Sequence, residues 1–181
     1  MPAAEHDITG LKRHTVRVVE HRPEWAELFG AEARDLRLAA GELAEDIQHV
    51  GSTAVPGLPA KPIIDVAIAI RSRTAIPELA ERLVDDGYID RGDGGQNGGW
   101  LLVKESAPNI RSFHVHIVER SDPQWGNYLA FRDALRQDAT LRDRYAALKR
   151  GLAAQFAGDR KSYTKAKHEF IRGTLKDLSQ P

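Results

Sequence analysis

The run Ile63–Ile70, IIDVAIAI, constrains the fold more than any other part of the chain. It is rich in β-branched side chains, bounded by Pro62 and Arg71, and too short for a buried helix, so it reads as a strand. Side chains alternate faces along a strand. Ile64, Val66, Ile68 and Ile70 therefore share one face, and Ile63, Asp65, Ala67 and Ala69 share the other. The first is a core face. The second sets one carboxylate among alanines, as though space were left beside it. An unpaired charge inside a strand is costly. Asp65 needs either hydrogen bonds from a neighbouring turn or a ligand.

Ser112–Val118 repeats the pattern. Phe113, Val115 and Ile117 point one way, and His114 and His116 point the other. Two imidazoles on one strand face lie roughly 7 Å apart, near enough to serve one ligand or metal. A strand histidine can equally be a satisfied core residue. A pair on one face gives the metal reading comparable weight, because neutral imidazole is the commonest metal ligand. His49, at the end of a short strand over Ile47–Val50, can join the pair as a ligand or merely pin the Gly51-Ser52 turn that follows.

Gly-Ser alone is a weak signal. Here it follows one strand and precedes the strand of Asp65. Such a turn offers N–H groups and a hydroxyl to a phosphate, opposite a carboxylate that can hold a divalent cation, which is an arrangement for phosphoryl transfer. Lys61, just ahead of the strand, either neutralises phosphate or is an ordinary surface lysine. Arg111 abuts the histidine strand, within reach of a substrate anion.

The rest of the chain supplies the layers. Pro23 opens a helix on which Trp25, Leu28, Phe29, Ala33, Leu36 and Ala40 recur until Gly41, and Pro77 opens another that stops at Gly87. Tyr88-Ile89 begins an extended piece. RGDGGQNGGW, residues 91–100, holds five glycines and reads as a hairpin turn or a mobile loop, a candidate lid. Trp100–Val103 and Ser112–Val118 read as strands around a Pro108-Asn109 turn. From Pro123 the period is helical, with stripes Tyr128-Phe131-Leu135 and Leu141-Tyr145-Leu148-Leu152-Phe156, and a last helix over about 162–175 follows Gly158-Asp159. MPAAEHDITGLKRH lacks the apolar core of a signal peptide and reads as a frayed lead-in. The order predicts a mixed α+β or α/β class: a mixed sheet flanked by helices, one domain over 1–181, with a helical C-terminal part over about 123–181.

Composition narrows the partners. The net charge is zero, which argues against general nucleic-acid binding. It is unevenly spread: residues 1–119 carry 13 basic against 19 acidic side chains, and residues 120–181 carry 13 against 7. That is either a solvated helical face or a basic wall opposite an acidic, metal-binding half. No cysteine occurs, so thiolate sites and disulfides are excluded and a reducing cytoplasm is expected. No apolar run approaches the ~20 residues of a membrane span.

HVGSTAVPGLPAKPIID, His49–Asp65, closely resembles the signature of the GrpB-like family, H-I/V-G-S-T-A/S-V-P-G-L-x-A-K-P-I-I-D. The resemblance continues through HRPEW at 21–25, Gly87-Tyr88, FHVHIV at 113–118, FRDAL at 131–135, YAALK at 145–149 and SYTKAKHEFI at 162–171. It implies the DNA polymerase beta-like nucleotidyltransferase superfamily. There a Gly-Ser turn precedes an Asp-x-Asp or Asp-x-Glu strand, and a later strand bears a third carboxylate. Gly51, Ser52 and Asp65 match. Ala67 stands where the second carboxylate belongs, and His114 and His116 stand where the third is expected. One Asp and two His suit a single softer cation such as Mn²⁺, Zn²⁺ or Fe²⁺ better than a Mg²⁺ pair. Alternatively the histidines bind phosphate or act as a base, and Mg²⁺ arrives on the nucleotide.

The resemblance implies a nucleotidyl group passing from an NTP to a small-molecule acceptor. Gly51, Ser52 and Thr53 would hold the triphosphate, with Lys61, Arg111, and the Tyr163 and Lys167 of a family Tyr-x-x-x-Lys. Asp65, His114 and His116 would be catalytic and hold a divalent metal, with His49 as a further ligand. Two other classes stay open: a metal-dependent enzyme of another reaction type on Asp65, His114 and His116, or a nucleotide-binding module without catalysis.

Overall fold

The computed structural model describes residues 8–94 and 99–179. Its mixed sheet has six strands: β1 (Leu11–Lys12), β2 (Asp46–Val50), β3 (Ile64–Ile70), β4 (Ile89–Asp93), β5 (Trp100–Ala107) and β6 (Ile110–Glu119). The order is β2-β3-β6-β5-β4, and β1 pairs with the start of β6 at Leu11 and Arg111. Among the described strands only β3 and β6 run parallel; the crossover that joins them contains a helix, β4 and β5. Their register sets Asp65 beside His114 and Ala67 beside His116.

Among the described residues five helices of eight residues or more cover the sheet: α1 (Glu24–Ala40), α2 (Ile76–Asp85), α3 (Pro123–Gln137), α4 (Ala139–Gln155) and α5 (Arg160–Leu178). Leu36 and Ala40 of α1 and Leu79 and Leu83 of α2 bury the face of Ile64, Val66, Ile68, Ile70, Val115 and Ile117. This is the core face that the alternation predicts. The C-terminal helices each open on an aspartate cap: Asp122, Asp138 and Asp159 accept hydrogen bonds from the backbone N–H of Gln124, Leu141 and Ser162.

The opposite face departs from the expectation of free space. Ala67 and Ala69 are fully buried with Val50 and Val118 beneath Trp125 of α3. The small side chains make room for a helix. Only the stretch beside Asp65 stays open. Further out, Val55, Leu58, Leu135 and Tyr145 form one apolar cluster, and Val16, Leu152 and Tyr163 form another.

Three segment boundaries also differ. Leu11–Lys12 of the supposed lead-in is an edge strand, and Trp25 Nε1 donates to the Ile8 carbonyl, so this stretch is anchored. Arg91–Asp93 of the glycine-rich stretch belongs to β4, with a register shift at Gly92, and residues 95–98 lie outside the described residues. β5 and β6 extend to Ala107 and back to Ile110, closing on Asn109 in a left-handed conformation, φ 66°. Among the described residues no helix is long and apolar enough to cross a membrane.

Candidate active site

Three loops of physics meet at Asp65. The parallel register places it beside His114, whose Nδ1 lies 3.2 Å from Oδ1, and His116 Nε2 lies 3.6 Å from the same oxygen. One ligand atom from each residue falls within 4.8 Å of the others. The Gly51 turn packs on the carboxylate so closely that a Cβ there would sit 2.5 Å from Oδ2, and its φ of 69° also favours glycine. Gly51 is therefore required by Asp65 as well as by the turn.

Electrostatics keeps the cluster in a metal-competent state. Burial pushes the Asp65 carboxyl up, but the hydrogen bonds from His114 and His116 outweigh it and hold it well below the usual range. Burial lowers His114 to about 4 against the raising effect of Asp65, so its ring is neutral at pH 7. In this neutral ring Nδ1 donates to Asp65, so for Nδ1 to hold a cation its proton must move to Nε2, which is buried without a partner. Metal bonds of about 2.0–2.2 Å set neighbouring ligand atoms about 3–3.5 Å apart. The two nitrogen-to-oxygen spacings, 3.2 and 3.6 Å, are close to that range, and with all three atoms within 4.8 Å of one another a small contraction would let two nitrogens and an oxygen hold one cation.

The cluster opens into a cavity of about 300 Å³ between the sheet and the three C-terminal helices. Gly51, Ser52, Thr53, Lys61, Asp65, His114, His116, Tyr163 and Lys167 all line it. Its lining is rich in basic side chains. Lys149 and Arg160 join Lys61 and Lys167, and Asp65 is the one acidic side chain in the lining among the described residues. Lys61 and Lys167 flank the Tyr163 ring at 5.4 and 5.6 Å from its centroid. Burial, then the nearby charges of Lys167 and Arg160, lower Lys61 to about 7. Lys149 is 1% exposed, donates to the Pro59 carbonyl, and is lowered by burial and by Lys167 and Lys61. Crowded cations around one carboxylate make a place for a polyanion.

Two expected residues stand elsewhere. His49 is absent from the lining and from the metal-competent group. Its position on β2, opposite Val66, turns it to the α1 side, where it stacks on Phe29 at 4.6 Å and pairs Nε2 with the Thr53 hydroxyl at 3.0 Å. It pins the turn. Arg111 also lies outside the lining, at the β1 end of β6.

Sequence reasoning missed the braces of the turn. Arg132 donates to Gln48 Oε1 and the His49 carbonyl, and Arg136 donates through two nitrogens to the Ala54 carbonyl. The charge excess of residues 120–181 left a solvated helical face and a basic wall both open, and Lys149, Arg160 and Lys167 are the members of it that line the cavity with Arg172. The resemblance had singled out Lys167 through Tyr-x-x-x-Lys, whereas nothing in the sequence separated Arg160 from the other C-terminal cations.

Comparison with known proteins completes the description. Residues 15–177 match the family described as GrpB protein. The Glutamate-rich protein GrpB of Alkalihalophilus pseudofirmus is 32% identical over 93% of this chain and 99% of its own. The UPF0157 protein YqkA of Bacillus subtilis is 36% identical over 88% of this chain, which spans about half of that relative's length, 46%. The crystal structure of GrpB from Enterococcus faecalis superposes with a TM-score of 0.74 and 31% identity, covering 88% of this chain and 99% of that one. The Cid1 poly(U) polymerase with MgGTP bound shares the fold, with a TM-score of 0.53 and 18% identity over 76% of this chain and 44% of that one.

Proposed function

The chain belongs to the GrpB family, and from that premise we propose that it is a metal-dependent nucleotidyltransferase that moves a nucleotidyl group from an NTP to a small-molecule acceptor. One observation carries the reading: Asp65, His114 and His116 share one cavity with the Gly51-Ser52 turn and with Lys61, Arg160 and Lys167. The nucleotidyltransferase-like fold supports it. The absence of cysteine fits a reducing compartment, and we place the protein in the cytoplasm.

In this reading the turn and the lysines hold the triphosphate, and Asp65, His114 and His116 hold Mn²⁺, Zn²⁺ or Mg²⁺. The bound metal would stabilise charge on the reacting phosphate oxygens. An acceptor oxygen or nitrogen bonds to the α-phosphorus, the bond to the β-bridging oxygen breaks, and pyrophosphate leaves while the acceptor proton passes to solvent. Lys61 and Lys167 orient the departing phosphates, and Asp65, kept ionised, orients the metal-binding face.

The test is release of pyrophosphate and transfer of label from α-labelled NTPs, with divalent metals and a pool of small-molecule acceptors. We expect metal-dependent transfer that Asp65→Ala abolishes while the variant stays folded. Transfer unaffected by Asp65→Ala would overturn the reading. Ala67, sealed beneath Trp125 where the superfamily has a second carboxylate, favours a second reading, a nucleotide-binding module without transfer. The same assay separates the two: nucleotide binding with no pyrophosphate release selects the module.

A further inference from the structure

Four of the seven buried side-chain atoms that lack a hydrogen-bond partner among the described residues gather at one end of the sheet: Arg13 Nε, Glu105 Oε1, Arg111 Nε and Ser112 Oγ. Native chains rarely leave such groups unpaired. The backbone brings them together. Leu11 of β1 pairs with Arg111, and the Arg13 N–H donates to the Asn109 carbonyl at 2.9 Å. Alternation from Phe113 assigns Arg111 to the core face and Ser112 to the face of His114. The β5–β6 register shifts between Lys104 and Glu105, however, so Arg111 stands opposite Glu105, on the face of Val103 and His114. The irregularity turns a guanidinium that is 9% exposed towards the side of the cavity.

Arg160 links this end to the cavity. It lines the cavity and feels the charges of both Asp65 and Arg13. Arg111 is pushed down to about 10 by burial and then by Arg160, Arg91 and Arg13, against the opposing charge of Glu105. Arg13, Arg111 and Arg160 thus set three guanidinium groups against one carboxylate, Glu105, one of whose oxygens accepts from the Asn109 N–H at 2.8 Å. Excess positive charge with buried, unpaired N–H groups fits an anion, and the guanidinium fork matches carboxylate and phosphate oxygens. Arg111 stands three residues before His114 on β6, about 10 Å away at about 3.3 Å per residue. A molecule whose charged group sits here can present its other end to the metal-competent cluster.

We propose that Arg13, Arg111 and Arg160, with the Ser112 hydroxyl, form a site for an anionic group, a carboxylate or a phosphate monoester, carried by the acceptor substrate. The site holds the acceptor by that group and leaves its nucleophilic oxygen or nitrogen at Asp65, His114 and His116. This rests on the transfer reading above and adds to it that the acceptor is anionic.

Two measurements test the site apart from the transfer reading. The first follows the arginine Nε–H signals in ¹H–¹⁵N spectra of the whole protein with Mg²⁺ and tripolyphosphate, which occupy the phosphate end of the cavity. Inorganic phosphate or acetate then replaces chloride at constant ionic strength. The Arg13 and Arg111 signals, assigned with Arg13→Lys and Arg111→Lys, should shift and saturate with at least one of the two anions. Saturation by phosphate alone selects a phosphate monoester, and saturation by acetate selects a carboxylate. Arg111→Gln should weaken that binding about 10- to 100-fold, the worth of hydrogen bonds between charged groups, and Ser112→Ala about 2- to 10-fold. Should Arg111→Gln fail to fold, Arg13→Gln, at a half-buried turn position, carries the same expectation. Arg13 and Arg111 signals unmoved by either anion overturn the site, as does wild-type anion affinity in the glutamine variants. The second measurement offers α-labelled NTPs and acceptors in pairs that differ only in the anion: hydroxy acids and their amides, phosphorylated alcohols and the free alcohols. Label should pass to the anionic member of a pair, with a KM that Arg13→Gln raises about 10-fold or more while kcat holds. Equal transfer to both members overturns the acceptor assignment. No transfer to any acceptor sinks the transfer reading and the acceptor assignment with it, while the first measurement still decides the anion site.

Discussion

Gly51→Ala isolates the contact on which the site depends. The added Cβ would lie 2.5 Å from Asp65 Oδ2 and 3.0 Å from Asp65 Cβ, where ordinary contact begins at 3.4 Å. The carboxylate must retreat by about 1 Å, the difference between 2.5 and 3.4 Å, and its 3.2 Å bond to His114 then opens beyond bonding range. With ψ at −170° as well as φ at 69°, Gly51 sits in a region essentially reserved for glycine, and an L-residue held there costs roughly 1–3 kcal/mol. Losing a hydrogen bond to a charged group costs about 1.5–3 kcal/mol. The expected destabilisation is about 3–6 kcal/mol, read from urea unfolding. Gly57→Ala is the control: its φ is 78° and nothing lies within 4 Å of the added Cβ, so it should show the backbone strain alone, about 1–2 kcal/mol. Calorimetry should find Mn²⁺ or Zn²⁺ binding lost in Gly51→Ala and kept in Gly57→Ala. Equal destabilisation in the two variants, or wild-type metal affinity in Gly51→Ala, would refute the reasoning.

His49 gives a pH signature. Burial lowers it from 6.5 to about 4, and it is 7% exposed, which corresponds to about 3 kcal/mol. Between those values the unfolded chain takes up a proton that the folded one refuses, so stability is intact above pH 6.5 and falls as pH drops towards 4. Urea midpoints of wild type and His49→Gln across that window should diverge in slope; parallel slopes would show that His49 does not titrate as the packing requires. Placing a second carboxylate two residues after Asp65 should fail for a packing reason. Ala67 is fully buried under Trp125, so Ala67→Asp should cost several kcal/mol or abolish folding, and a stable, Mg²⁺-activated Ala67→Asp protein would contradict the burial argument.

The sheet was legible because period-2 alternation on Ile63–Ile70 and Ser112–Val118 fixes both faces. The helices were legible because Pro23, Pro77 and Pro123 start them and apolar stripes continue them. Alternation put Asp65 on the non-core face of one strand and His114 and His116 on that of another, and the parallel pairing of β3 with β6 brings the three together. What alternation does not supply is the neighbour across that face. Trp125 covers Ala67 and Ala69 but not Asp65, and only the docking of α3 decides this. His49 was ambiguous because its face depends on where β2 ends and the turn begins. Arg132 and Arg136 were invisible, since their partners are backbone carbonyls more than eighty positions away, at separations of 83 and 82. The two-residue β1 carries too little sequence to show a period.

The most direct test of the account is pulsed electron paramagnetic resonance of Mn²⁺ bound to the protein with ATP. The account predicts ¹⁴N couplings from directly coordinated histidine together with ³¹P coupling from the nucleotide, with the nitrogen signal lost in His114→Ala/His116→Ala. A spectrum with ³¹P coupling and no ¹⁴N coupling, unchanged in the double variant, would contradict it.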